Sequence, residues 1–247
     1  MGCILFTKGV YAHLLGSILH YCCWYDTEAQ VVKPCQRLGI IFKEIQEVYK
    51  EQKSSCRLTN LVLKMFTNPQ SPWKDWAFLS TKGAEGKHLA PALLKVCKNL
   101  LDGSREEHFH MITCLQCMCE VVQIWDEAGL FLTKSEYKKA WQKAQQCMSE
   151  YQWLEAWSKD NDRKSFHIVN KHHSFLHLAK DAWYINPRFH WCFKAEDFVG
   201  HISTLTHSVS MGVRATKLSQ KLAPKYRILL HLLYTRPGFR LETSSDP

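Results

Sequence analysis

His173 and His177 are four residues apart, so on a helix both rings project from one face. Such a pair holds zinc when a carboxylate joins it, as in H-E-x-x-H enzymes. Here Ser174 stands where that motif has its glutamate, so hydrolytic zinc chemistry lacks its base. The plain alternative is a polar flank beside an apolar stripe. His110, Cys114 and Cys117 also share a helical face. A structural zinc needs four ligands, usually two pairs brought together by a turn, and no second Cys-x-x-Cys exists. The expectation there is free thiols in or near the core, with no disulfide and no metal. Glu196 and Asp197 open a helix, where acids complement the dipole, so a surface acid is the default reading. Arg214, Lys217, Lys221 and Lys225 are spaced three, four and four apart, which aligns them as a ridge. Arg227, Arg236 and Arg240 extend the basic region, against only Glu242 and Asp246. A charged helix face is often just a solvated one, but charge of a single sign suits contact with phosphates. No Gly-rich phosphate loop follows a strand, and no G-x-S-x-G elbow appears.

The elements that must position these residues read almost entirely as helices. Apolar spacing predicts helices over 9–24, 34–52, 57–66 and 87–101. Ser104 with Glu107 and Thr133 with Glu136 have the pattern of capping boxes, which opens two further helices, the second reaching about 159. A helix over 166–184 carries Ile168, His172, Leu176, Ala179 and Trp183 as an inward stripe. Asn186-Pro187 breaks the chain, and 189–193 alternates as a short strand or extended turn. Helices over 195–210 and 216–235 follow, the last bent at Pro224. The fold class is therefore mainly α: a single helical domain over 1–236 with a weak boundary at 67–80, then a mobile tail over 237–247.

Bulk composition narrows the function classes. With 46% hydrophobic and 22% charged residues, the chain can build a sizeable core and is not broadly disordered. A net charge of +9 favours anionic partners. Eleven cysteines, an odd number, fit a reducing compartment better than a disulfide framework. The weakly polar run over 10–25 contains His13 and His20 and is short for a membrane span, so it reads as a buried helix.

Four segments together resemble the C-terminal part of DDE-type DNA transposases related to the CACTA group, and transposon-derived proteins of protists. They are K-G-A-E-G-K-H-L over 82–89, E-H-F-H-M-I-T-C-L over 107–115, K-H-H-S-F-L-H-L over 171–178 and F-K-A-E-D-F-V-G over 193–200. Their order and approximate separation agree over most of the chain. The resemblance implies the helical portion of an RNase H-like fold, in which three carboxylates bind two divalent metals and cleave phosphodiesters. It places Glu196 at the family's third acid, with His173 and His177 orienting that carboxylate or touching phosphate. The segment L-F-T-K-G-V-Y-A-H-L-L-G-S over 5–17 is similar to residues that follow the family's second acid, an Asp-x-x-His, yet 1–7 contain neither Asp nor His. One carboxylate cannot hold a two-metal site. The resemblance thus implies a truncated transposase, with Glu196 a vestigial acid, or a subunit needing another transposase chain.

These readings set out what is expected. The chain binds DNA with little sequence preference through Arg214, Lys217, Lys221, Lys225 and Arg227, and has no independent nuclease activity. It needs no cofactor, Mg2+ entering only if a partner chain completes the site. It has no membrane partner and an intracellular location, the nucleus included. The alternative is a helical scaffold that binds proteins.

Overall fold

In a computed structural model the described residues are 5–6, 9–26, 32–190, 203, 205–208, 210 and 215–235. The chain is mainly helical and divides into two compact units, Met1–Trp191 and Cys192–Pro247. In the first unit lie α1 (Val10–Trp24), α2 (Pro34–Glu51), a 3-10 turn at Leu63–Met65, α3 (Gly83–Leu100), α4 (Glu106–Glu127), α5 (Lys134–Asp160), α6 (Asn170–Asp181) and a second 3-10 turn at Pro187–His190. The second unit contains α7 (Ala215–Thr235).

Helix α1 is the axle of the first unit. All of its residues except His13 and Trp24 are buried, because α2, α3 and α6 pack around it. A helix apolar all round needs neighbours on every side to be stable in water. An extended segment also lies directly on α1, where Leu79 N–H donates to the Ala12 carbonyl at 2.8 Å. Gly16 permits that approach: a Cβ there would stand 2.6 Å from Leu79 N and 2.9 Å from the Phe78 backbone. The 67–80 segment, a weak boundary by sequence, runs inside the first unit.

Helices α4 and α5 form the tightest pair, an antiparallel hairpin closed at Thr133. The Thr133 capping box forms as expected: Glu136 N–H donates to Thr133 Oγ1, and Thr133 N–H to Glu136 Oε2 at 2.7 Å. The Ser104 box does not form. Ser104 Oγ turns instead to Asp102 Oδ2 at 2.8 Å, and α4 begins after Arg105 without a side-chain cap. At the far end of α4, buried Asn186 donates its amide to the carbonyls of Trp125 (2.8 Å) and Gly129 (2.9 Å). Helix ends leave carbonyls without partners, and a side chain from elsewhere satisfies them here.

Three further expectations are corrected. The helix over 57–66 reduces to the turn at Leu63–Met65, and the Met65 and Phe66 carbonyls accept from Ser80 N–H and Phe78 N–H instead of from within a helix. The helix over 166–184 starts only at Asn170. Phe166 precedes it with φ +57°, fully buried, its N–H on Ser17 Oγ at 2.7 Å. A bulky residue adopts that left-handed conformation only where its surroundings enforce it. The inward stripe of α6 is consequently rotated. His172, Phe175, Leu178 and Ala179 are buried, Leu176 is half-buried, Ile168 lies before the helix, and Trp183 is 50% exposed. At 189–193, Phe189 belongs to a 3-10 turn, and residues 191–193 lie outside the described ones.

Candidate nucleic-acid interface

Helix α7 has one half-buried flank, formed by Leu218, Leu222 and Tyr226, and its sequence contains no Asp or Glu. Lys217, Lys221 and Lys225 are exposed and follow one another every four residues, about 6 Å apart along the axis. They drift around the helix by about 40° per step, so they form one stripe. Lys225 Nζ donates to Ser208 Oγ at 3.3 Å, which leans the end of the stripe on the helical residues 205–208. Among the described residues, none of these lysines is paired with a carboxylate. Arg227 is exposed but lies about 80° from Lys217 on the side away from Lys225, so it flanks the stripe rather than lengthening it. Ile228, 59% exposed, sits within the basic face. Arg214 lies outside the described residues. Helix α7 continues through Pro224.

His173 and His177 are brought together. Both are exposed on α6, with their Nε2 atoms 2.8 Å apart and their rings nearly perpendicular. Their expected carboxylate companion, Glu196, lies outside the described residues. The other candidate ligands are used internally. His110 Nδ1 contacts Glu150 Oε2 at 2.5 Å and its ring stacks on Trp153, while Cys114 Sγ lies 3.7 Å from Cys147 Sγ as a thiol. Burial pushes the Cys117 thiol up to about 12, far from the thiolate that a metal requires. No group of three or more His, Cys, Asp or Glu among the described residues is placed to hold a metal.

Two clusters in the first unit are invisible to sequence reasoning. The first is a buried polar network. Asp26 pairs with Arg37 at 3.3 Å and Arg105 at 3.7 Å, and Tyr21 Oη lies 2.8 Å from His108 Nε2 and 3.1 Å from Arg105. Arg105 also meets Glu107 at 2.5 Å, and His108 Nδ1 meets the Asp102 carbonyl. Burial, with Arg105 beside it, holds the His108 imidazole below its ordinary value. Acid, base and phenol converge here, but they bond chiefly to one another, as the members of a structural cluster do. Its members come from 21–37 and 102–108, so no local spacing announces it.

The second cluster lies around Trp76. A cleft of about 620 Å³ is lined by Lys64, Phe66, Asn68, Trp76 and Phe78 among others. A neighbouring one of about 540 Å³ is lined by His13, His167 and Lys171. Trp76 stacks on His167 at 4.5 Å and is approached by Lys164 Nζ at 5.0 Å, so one aromatic wall separates the two clefts. Behind it His172 is fully buried, accepting from Val169 N–H at 3.1 Å. Burial, helped by the neighbouring His13, lowers His172 to about 4, and burial lowers His13 likewise. Both are neutral at pH 7, His172 as a core polar group and His13 half-buried at the cleft.

No described helix is long and apolar enough to cross a membrane. No known protein family matches the chain, and none of the curated proteins or solved structures does either.

Proposed function

We propose that this chain is a transposon-derived protein that binds DNA with little sequence preference through α7 and has no nuclease activity of its own. The observation that carries this reading is the exposed, acid-free stripe of Lys217, Lys221 and Lys225. A long polyanion is the partner that gains most from such a surface, because each neutralised phosphate releases counterions. Arg227 adds charge beside the stripe, and Arg214 precedes it in the sequence. The transposase origin is supported by the four sequence segments described above, and it assigns Glu196 the part of a vestigial acid with His173 and His177 in support. With one carboxylate the chain would need a partner transposase chain to assemble Mg2+ chemistry. An intracellular, nuclear location accompanies this role.

Fluorescence anisotropy with unrelated duplexes at several salt concentrations tests the proposal. Replacing Lys217 and Lys221 together by Ala should flatten the slope of log affinity against log salt by about two units, equally on each sequence. Glu196→Gln should leave affinity unchanged or slightly raised. Metal-dependent nicking by the purified chain, lost in Glu196→Gln, would overturn the absence of nuclease activity.

One observation favours a second reading, a helical protein-binding scaffold. Leu130, Phe131, Trp183, Tyr184 and Phe189 are each 44–74% exposed. They gather at one end of the first unit, where Asn186 N–H bonds the Leu130 carbonyl and Trp183 packs edge-on to Tyr137. Exposed apolar patches of that kind commonly mark protein contacts. DNA binding that is absent, or independent of salt, would select this alternative.

A further inference from the structure

We propose that His173 and His177 form a two-histidine chelate for a borderline divalent transition ion of the nickel or copper type, on the exposed face of α6. The spacing of four residues sets the two rings one above the other. The opposite face of the same helix, His172, Phe175, Leu178 and Ala179, is buried and holds the backbone in place. The pair is therefore preorganised, and little backbone freedom is lost on binding. The two Nε2 atoms lie 2.8 Å apart.

That separation sets how far the rings must open to admit an ion. Two imidazole nitrogens about 2.1 Å from one metal lie about 3.0 Å apart at a right angle and about 3.4 Å apart at a tetrahedral angle. The 2.8 Å separation is that of the metal-free pair, and the right-angled arrangement of tetragonal Ni(II) and Cu(II) asks for the smaller opening of the two rings. Neutral imidazole suits these ions and is a poor ligand for magnesium. Without metal, one Nε2–H can donate to the other Nε2. Binding requires both protons on Nδ1, leaving both Nε2 lone pairs for the ion, so acid competes with metal. No third His, Cys, Asp or Glu among the described residues completes the set, so water fills the other positions and the ion exchanges readily. Exposed Asp181, one turn beyond His177, and exposed Lys180 flank the pair with opposite charges. The chelate departs from the expectation of a metal-free chain and does not depend on DNA binding.

Calorimetric titration of the full chain with NiCl2 tests the chelate, with His173→Ala and His177→Ala alongside. Both residues are exposed, so the variants should keep the fold, as far-UV circular dichroism will check. Each substitution should weaken one Ni2+ equivalent by about 100-fold, the loss expected when an intramolecular second ligand is removed. Magnesium should give no heat in any of the three. In the wild-type chain, substoichiometric Ni2+ should broaden the imidazole signals of His173 and His177 before those of other histidines. Titrations identical in wild type and variants, or broadening that begins elsewhere, would overturn the proposal.

Discussion

The buried network around Asp26 and the lysine stripe of α7 are both built from charge, yet they are opposite in kind. Asp26, Arg37 and Arg105 lie in the first unit with carboxylate and guanidinium groups within 3.7 Å of each other. Lys217 and Lys221 stand in solvent on a helix without acids. Charge taken out of water must find its counter-charge inside the fold, and once found it has little left to offer a ligand. Charge of one sign left in water keeps its capacity for an external partner. The difference teaches that a convergence of ionisable groups is no evidence of a site until their mutual satisfaction has been counted.

The sharpest way to break this contrast is to remove one member of each. Asp26→Ala removes the buried carboxylate that faces Arg37 and Arg105 and should cost about 3–5 kcal/mol in urea denaturation, the usual result of breaking a buried ion pair. A loss under 1 kcal/mol would mean that water reaches the network. Gly16→Ala probes the same interior by packing. A methyl group 2.6 Å from a backbone nitrogen cannot be accommodated without moving the 77–80 segment, and about 3 kcal/mol should be lost.

Acid gives a third test of the interior. His172 is fully buried and held at about 4, against 6.5 for a free histidine. The unfolded chain therefore takes up a proton before the native one does. Stability is complete above pH 6.5 and falls as pH drops towards 4, by about 2–3 kcal/mol for this residue alone. Denaturation curves across that range should slope accordingly, and His172→Gln should flatten them. If His172→Gln leaves the slope unchanged, the imidazole is not held neutral by its burial. The stripe should show the smallest stability effect. Lys217→Ala with Lys221→Ala should change stability by less than about 0.5 kcal/mol per residue while altering the salt dependence of DNA binding. A large stability loss would show that the lysines serve the fold.

Much of the architecture is written in local pattern. The helices containing Leu14 and Ile18, Leu38 and Ile45, and Thr133 with Glu136 follow from apolar spacing and one capping box, and they appear where expected. The lysine stripe is likewise a matter of spacing, because a helix converts a separation of four residues into a common face. The pairing of His173 with His177 is local for the same reason.

What spacing alone could not supply was the phase of α6 and the fate of its neighbours. His172 and His173 are adjacent in sequence, yet one is fully buried and the other exposed. Their assignment turns on where the helix begins. That is decided by Phe166, held at positive φ by burial and by a hydroxyl from Ser17, 149 residues away. Ser104 turns to Asp102 rather than to the helix, and the Asp26 network joins side chains up to 87 positions apart, from 21 to 108. Sequence determines the periods and the sign of the surface charge, since both depend on residues within a few turns. Only tertiary packing decides which polar groups become internal partners, because burial and counter-charge are supplied from distant parts of the chain.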